Sequence, residues 1–339
     1  MAAVPKLDGV GFRHFGGAAD YEHLARIITV SCQAEGDDRV ETPEALASSY
    51  DHLDRCDPST DLLIAEVDGR PVGYSRVWWD QEPDGPRVYR QVCFLDPAYG
   101  GRRIGSAIFA WNDARLRELA AGQDAKEKVL EVFSNDGNAG AATLIREAGY
   151  EALTYSAQMV RPSVDDLPDH RLPAGVELRP VRDEDLRAVW EADVEAFRDH
   201  WGYFEPTEAD YERFLAFPYN DPTLWKVAWD EEGVAGQVKS FIDTAQNEAH
   251  GRARGYTEAI STARRWRRQG LAKALIVESI RELAGRGMTE VALGVHTENP
   301  NGAYALYAGL GYEVVLTWTT YRKPLSGSGA PSGTAGPGS

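Results

Sequence analysis

Apolar positions along the chain alternate between two spacings, and the alternation runs through one set of elements twice. Val10 to Phe15 reads as a short strand. Leu24, Ile27, Ile28 and Cys32 recur at helical spacing over Tyr21 to Cys32. Thr42 to Leu53 predicts a second helix with Thr42 as its N-cap. Asp61 to Val67 and Pro71 to Trp79 flank Asp68 and Gly69, and an Asp-Gly pair between apolar runs predicts a hairpin. A strand follows over Val88 to Leu95, then a helix carrying Ile108, Phe109, Leu116 and Leu119, a strand over Val129 to Phe133, and a helix over Asn138 to Glu147. Gly149 and Tyr150 open the strands that close this half.

The stretch from Pro162 to Gly175, with Asp165, Asp166, Pro168 and Pro173, breaks both periods and reads as a linker. After it the order returns. It runs as a strand over Val176 to Val181, helices over Asp183 to Phe197 and Thr207 to Phe214, and a hairpin over Leu224 to Ile242. A strand ending at Ile260, Ser261 and Thr262 comes next, then a helix over Leu271 to Leu283 and a strand over Val291 to Val295. A helix over Gly302 to Leu310 and a strand over Tyr312 to Tyr321 complete the half. Gly149-Tyr150-Glu151 leading to Arg161-Pro162 is echoed by Gly311-Tyr312-Glu313 leading to Arg322-Lys323-Pro324. Two copies of one mixed α/β unit are indicated, over 1–162 and 176–325, joined by a linker over 163–175. Small residues and proline fill 326–339 and predict a disordered tail.

Composition narrows the function. The 339 residues exceed the usual size of a single core, and a 43% apolar fraction with nine Trp supplies material for two. A net charge of −17 disfavours nonspecific binding to nucleic acid or an anionic membrane, both of which need a basic face. Cys32, Cys56 and Cys93 are few and odd in number, which suits a reducing, cytoplasmic setting better than a disulfide framework. No apolar run approaches a membrane span, and no His and Cys spacing suggests a metal site.

The most informative stretch is Tyr256 to Leu275. A strand-like run gives way to the basic turn Arg267-Arg268-Gln269-Gly270 and then to a helix opening at Leu271-Ala272. Amides at a helix start lack partners within the helix, and the dipole places about half a positive charge there. Gly270 lets an anion approach the backbone, and Arg267 and Arg268 add fixed charge, so the junction suits a pyrophosphate. An ordinary basic surface turn has the same composition.

Taken with a second motif, this stretch resembles the GNAT family of N-acetyltransferases. Arg267, Gly270 and Ala272 match the family's R-x-x-G-x-A turn. Asn299, Ala303 and Tyr307, followed by Gly311-Tyr312, match its Asn-and-small-residue helix with a Tyr and a Gly-aromatic strand start. The resemblance covers nearly the whole chain as a tandem pair of the mycothiol synthase kind, and a tandem acetyltransferase of clavulanic acid biosynthesis is another relative of this size. It implies two mixed, mostly antiparallel sheets flanked by helices, with acetyl-CoA or another acyl-CoA as the acyl donor. It also implies a small-molecule amine as acceptor, on a monomer or homodimer.

The resemblance further implies that Ile260, Ser261, Thr262, Arg267, Arg268, Gln269, Gly270, Leu271, Ala272, Asn299 and Ala303 hold the CoA. Tyr307 becomes the candidate acid for the departing thiolate, although on helical period alone it reads as a core aromatic. Glu258 shares a strand face with Tyr256, Ile260 and Thr262 and is the candidate base, with His296 and Asp243 as weaker alternatives. His200, Trp201 and Tyr203 lie in an aromatic, polar connection that suits either an acceptor pocket or packing against the other half.

In the first half, Gly100 stands where the family has Arg or Gln, and Arg103 where it has Gly. Cys93, Phe94, Leu95, Gly100, Gly101, Arg102, Arg103, Ile104, Gly105, Ser106 and Asn138 remain candidates for a second CoA site. Ile145, however, occupies the place of the Tyr and cannot donate a proton, so the chemistry is expected in the second half. The first half then binds CoA or is purely structural. A protein that binds acyl-CoA without turnover is the alternative of a different class.

Overall fold

The computed structural model describes residues 2–83, 85–297 and 302–325. The expected tail over 326–339 lies outside the described residues. In chain order the elements are β1 (Gly11–Arg13), α1 (Tyr21–Ala34), α2 (Pro43–Asp51), α3 (Pro58–Asp61), β2 (Leu62–Val67), β3 (Arg70–Gln81), β4 (Arg87–Leu95), α4 (Ile104–Ala121), β5 (Lys128–Asn135), α5 (Ala139–Glu147) and β6 (Glu151–Arg161). The second half holds β7 (Glu177–Leu178), α6 (Leu186–Phe197), α7 (Glu208–Ala216), β8 (Lys226–Asp230), β9 (Gly233–Phe241), α8 (Thr244–His250), β10 (Arg254–Thr262), α9 (Leu271–Gly285), β11 (Glu290–His296), α10 (Ala303–Ala308) and β12 (Glu313–Pro324). The elements read from the sequence are present, with three differences. A single helical turn, α3, capped by Asp57, stands where no element was expected. The strand expected over Val176 to Val181 shortens to the two residues of β7. A further helix, α8, stands after the expected hairpin end at Ile242, in a stretch given no element, with the Asp243 side chain accepting from the Gln246 N–H at 2.9 Å as its cap.

Local chemistry explains the boundaries. Thr42 accepts from the Ala45 N–H and caps α2, with Pro43 at the first helical position. Asp68 and Gly69 have φ of 51° and 75°, the two positive values that a tight hairpin turn between β2 and β3 requires. Alternate residues of one strand enter different cores. Leu62 and Ile64 pack with Leu24, Ile27 and Ile28 of α1, while Leu63 and Ala65 pack with Ile104 and Ile108 of α4. In the second half Ala228 faces α9, and Val227 and Trp229 pack with Val189 of α6. A Cβ on Gly255 would come within 2.7 Å of the Leu283 side chain, so glycine there lets α9 lie close on β10.

The two halves do not keep separate sheets. All twelve strands form one sheet in the order β1-β2-β3-β4-β5-β12-β6-β11-β10-β9-β8-β7. The last strand of each half is exchanged: β6 pairs antiparallel with β11 of the second half, and β12 pairs antiparallel with β5 of the first. The exchanged strands also pair with each other, from Glu313 opposite Val160 to Arg322 opposite Glu151. Only β4–β5 and β10–β11 are parallel. The connection over 163–175 has no helix or strand, and its Val164, Leu167 and Leu172 pack on the core beneath α9.

Because of the exchange, cutting the backbone leaves the halves joined by sheet pairing. With a protease site inserted beside the exposed Asp169, the cleaved protein is expected to elute from a sizing column as one species and to melt in one transition. Separation of the fragments without denaturant would contradict the shared sheet.

Candidate functional site

The site is built by a gap in the sheet. β10 and β11 pair in parallel only at Arg254–Glu290, Gly255–Val291 and Tyr256–Ala292. Beyond them β10 carries a bulge: Glu258 lies opposite Lys239 but Ser261 lies opposite Gln237, so one extra residue is inserted, and Ala259 takes a φ of 47°. The strands part, leaving a cavity of about 820 Å3. Residues 258–262 line one side and Gly294, Val295 and His296 the other. The turn and first residues of α9 lie at the mouth, with Ala303, Leu306 and Tyr307 of α10. Ser156 enters from the exchanged strand β6, and Ala196, Phe197 and His200 from the end of α6.

The turn before α9 has Arg268 and Gly270 in the left-handed region, at φ of 63° and 83°. Gly270 is the N-cap residue, so no side chain satisfies the first amides of this fifteen-residue helix. The arginines divide their work. Arg267 donates to Asp199 and to the Ala196 carbonyl, both at 3.1 Å, and thereby ties the turn to α6. Arg264 also bonds Asp199, and Arg265 bonds Asp230. Arg268 is exposed and has no carboxylate partner among the described residues, which leaves its charge for the cavity it lines. Gln269 donates to the Arg265 carbonyl at 2.7 Å and does not line the cavity. Asn299 lies outside the described residues.

Glu258 and Tyr307 line the same cavity. The Glu258 carboxylate is half-buried, open to the cavity but withdrawn from bulk water, and accepts the Gly294 N–H at 2.7 Å. Burial pushes its pKa up to about 7 against the opposing effect of that N–H. Burial also raises the Tyr307 phenol, and the charge of Glu258 raises it further. His200 is pushed down by burial, then by His296 and Arg267. Of the weaker candidate bases, His296 lines the cavity. Asp243 instead caps α8 and borders the cavity of the first half.

The connection after α6 lines two hollows and packs on the strands of its own half. His200 faces the main cavity, and His200, Trp201 and Tyr203 line an adjoining hollow of about 310 Å3. Trp201 also packs 5.2 Å from the His296 ring with the Arg322 guanidinium 4.7 Å over its face, while Tyr203 donates to Glu205 at 3.1 Å.

The first half keeps the turn and a parting of strands, since β4 and β5 pair in parallel only from Arg87–Lys128 to Gln91–Val132. Gly101 and Arg103 have φ of 75° and 62°, so the same two left-handed positions recur with Gly and Arg interchanged. β4, however, pairs with β3 without interruption from Arg87 to Leu95 and carries no bulge. A cavity of about 420 Å3 includes Cys93, Phe94 and Asn138, but Leu95 and residues 100–106 do not line it. Ile104 is buried in the core, and Arg102 lies 5.2 Å over Tyr99. Gly100 in the turn and Gly105 and Ser106 in the first turn of α4 therefore stand apart from this cavity. Asn138 caps α5 by accepting the Ala141 N–H at 2.8 Å, and Ile145 is buried in the core. Sequence reasoning missed Ser156, Gly294 and Leu306 in the main cavity; the first of these depends on the strand exchange, for which apolar spacing carries no signal. Among the described residues no group of three or more His, Cys, Asp or Glu is placed to hold a metal ion, and no helix is long and apolar enough to cross a membrane.

Comparison with known proteins gives the family and the fold. The model of a family described as the acetyltransferase (GNAT) family matches residues 29–150 and 187–312. The mycothiol acetyltransferase of Streptomyces bingchenggensis (strain BCW-1) is 28% identical over 267 residues, which cover 77% of this chain and 80% of that protein. A GCN5-related N-acetyltransferase from Sphaerobacter thermophilus superposes with a TM-score of 0.71 at 24% identity, covering 94% of this chain and 97% of its own. A tandem GNAT protein from the clavulanic acid biosynthesis pathway gives a TM-score of 0.66 at 17% identity, over 94% and 100%. The last two likenesses concern the fold.

The raised pKa of Glu258 makes stability depend on pH. The folded value of about 7 lies above the ordinary 4.5, so the favourable contribution is complete below about pH 4.5 and is lost as pH rises through 7. Glu258→Gln removes this dependence. The variant is expected to match the wild type near pH 5 and to exceed it at pH 8 by on the order of 2 kcal/mol, discounted for water in the cavity. Melting curves at the two pH values check this; a difference that does not change with pH would contradict it.

Proposed function

The chain belongs to the acetyltransferase (GNAT) family, and on that premise we propose that its second half transfers an acetyl group from acetyl-CoA to the amine of a small molecule. The observation that carries the reading is the meeting, on one cavity, of the uncapped start of α9, a carboxylate with pKa near 7 and a buried phenol. The amides after Gly270 and the exposed Arg268 suit a pyrophosphate, and residues 258–262 lead from that mouth into the gap. Glu258 takes a proton from the acceptor ammonium, directly or through water. The freed nitrogen bonds to the acyl carbon, the carbon–sulfur bond breaks, and the Tyr307 hydroxyl gives its proton to the thiolate, while the second proton lost by the nitrogen as it becomes an amide restores the phenol through water. Relatives named as mycothiol acetyltransferases support a small-molecule acceptor, with His200, Trp201 and Tyr203 beside its entry.

We assign the first half a structural role. Its turn lies apart from its cavity, its β4 lacks the bulge, and Ile145 replaces the phenol.

The test uses the full chain with acetyl-CoA and a panel of small amines, following loss of the thioester. Tyr307→Phe is expected to lower kcat about a hundredfold, within the usual range for an acid–base group. Glu258→Gln should abolish the limb of kcat/KM that rises through pH 7, the pH at which the wild-type carboxylate becomes an available base. Unchanged rates in the first variant together with an unchanged pH profile in the second would remove both assignments. Arg268→Glu should raise the KM for acetyl-CoA roughly tenfold, more at low salt than at high, with kcat little altered.

A further inference from the structure

Another cavity, of about 300 Å3, lies away from the gap, where β3, β4 and α2 of the first half meet α7 and Phe204 of the second. Four guanidiniums line it, those of Arg55, Arg76, Arg90 and Arg213. Three of them are neutralised. Arg55 pairs with Asp54 and Asp80, Arg90 with Asp80 and Glu131, and Arg213 with Asp210. Arg76 differs. Its Nε is buried without a hydrogen-bond partner, and no carboxylate pairs with it among the described residues. Its guanidinium lies over the faces of Trp78 and Tyr50, at 5.0 and 5.7 Å.

The second half provides an internal control. Gly73 on β3 and Gly236 on β9 occupy matching places, since a Cβ on either would touch the helix lying over its strand, at Ile108 of α4 or Leu271 of α9. Three residues on from each glycine stands a cation, Arg76 in one half and Lys239 in the other. Lys239 is neutralised by Asp193 of α6 at 2.8 Å. Arg76 has only the cavity. A desolvated cation is costly unless an anion and hydrogen bonds answer it, and ring contacts offset only part of that cost.

The geometry points to a binding site for a small organic carboxylate, with the carboxylate on Arg76 and its apolar part against Trp78, Leu53 and Phe204. A planar guanidinium matches a carboxylate in a two-point hydrogen bond, and one unanswered positive charge suits a monoanion better than a phosphate dianion. The ligand would touch both halves of the chain at once, at a cavity that shares no lining residue with the gap between β10 and β11.

Benzoate is the probe, with benzamide as its uncharged analogue and inorganic phosphate as the competing anion, titrated calorimetrically into the full-length protein. Benzoate is expected to bind at one site per chain, benzamide not to bind, and phosphate to bind more weakly than benzoate. Arg76→Gln should weaken benzoate about ten- to a hundredfold, the usual effect of losing a charged hydrogen-bond partner. Lys239→Gln, at the matching place, should leave benzoate binding unchanged. Because Arg76 has no carboxylate partner to abandon, its variant should melt at or above the wild-type temperature, so a loss of binding cannot be ascribed to unfolding. Failure of benzoate to bind, or binding equal in wild type and Arg76→Gln, overturns the site. Phosphate binding more tightly than benzoate overturns the carboxylate assignment.

Discussion

The structure depends on the parting of a parallel strand pair. Opening β10 from β11 creates the cavity, and it also deprives β11 of most of its partner on that side, since only three positions remain paired. A strand with both edges unsatisfied is not stable. β6 meets the need by pairing with β11 at six positions, from Val291–Arg161 to His296–Ser156. β12 does the same for β5 at seven, from Trp318–Asn135 to Pro324–Val129. Each half thus stabilises the strand beyond the other's gap. The second half's site is completed from outside itself, because Ser156 on the exchanged strand lines the main cavity.

This interdependence gives a physical reason for a first half that has kept its fold while losing the features that mark the second as a site. The left-handed pair at Gly101 and Arg103 preserves the entry to α4, which the packing of Ile104 and Ile108 requires. A regular β4 costs nothing if no thioester has to lie beside it. Ile145 is buried and brings no hydroxyl that would need a partner there. Each change favours packing over chemistry, and none disturbs β5 or β6, the strands on which the second half relies.

Much of this was legible in the sequence because it rests on local physics. The Asp68-Gly69 hairpin, the Thr42 cap, the positive φ at Gly270 and the contrast between Ile145 and Tyr307 follow from backbone preference, periodicity and motif. What escaped is what depends on partners distant in the chain. A strand's alternation tells which face is buried but not which strand lies beside it, so the exchange of β6 and β12 left no trace in apolar spacing. The bulge was equally hidden, because Ala259 takes its positive φ without the glycine or asparagine that usually announces one. Arg267 was read as a phosphate ligand from its place in the turn, yet Asp199 and the Ala196 carbonyl, contributed by the end of α6, hold it as a strut. Residues beside a cavity and residues that shape its wall have the same signature in a motif; only their hydrogen bonds separate them.

The electrostatics of the main cavity follow from the same opening. The Glu258 carboxylate lies in the gap withdrawn from water, and the bond that answers it among the described residues comes from the Gly294 amide rather than from a counter-ion. Its pKa therefore rises to neutrality, where a carboxylate exists in both states in comparable amounts. Tyr307 feels the opposite side of this balance. Whenever Glu258 is ionised, its charge disfavours a phenolate and keeps the proton on Tyr307. Environments that push two titratable groups apart in this way divide their roles: one is available to accept a proton at the pH where the other is still certain to hold one. On the proposed reading this division supports transfer in the required order. Gaining the acceptor's proton neutralises Glu258, and that removes the charge that had been holding the phenolic proton in place at the moment the departing thiolate needs it.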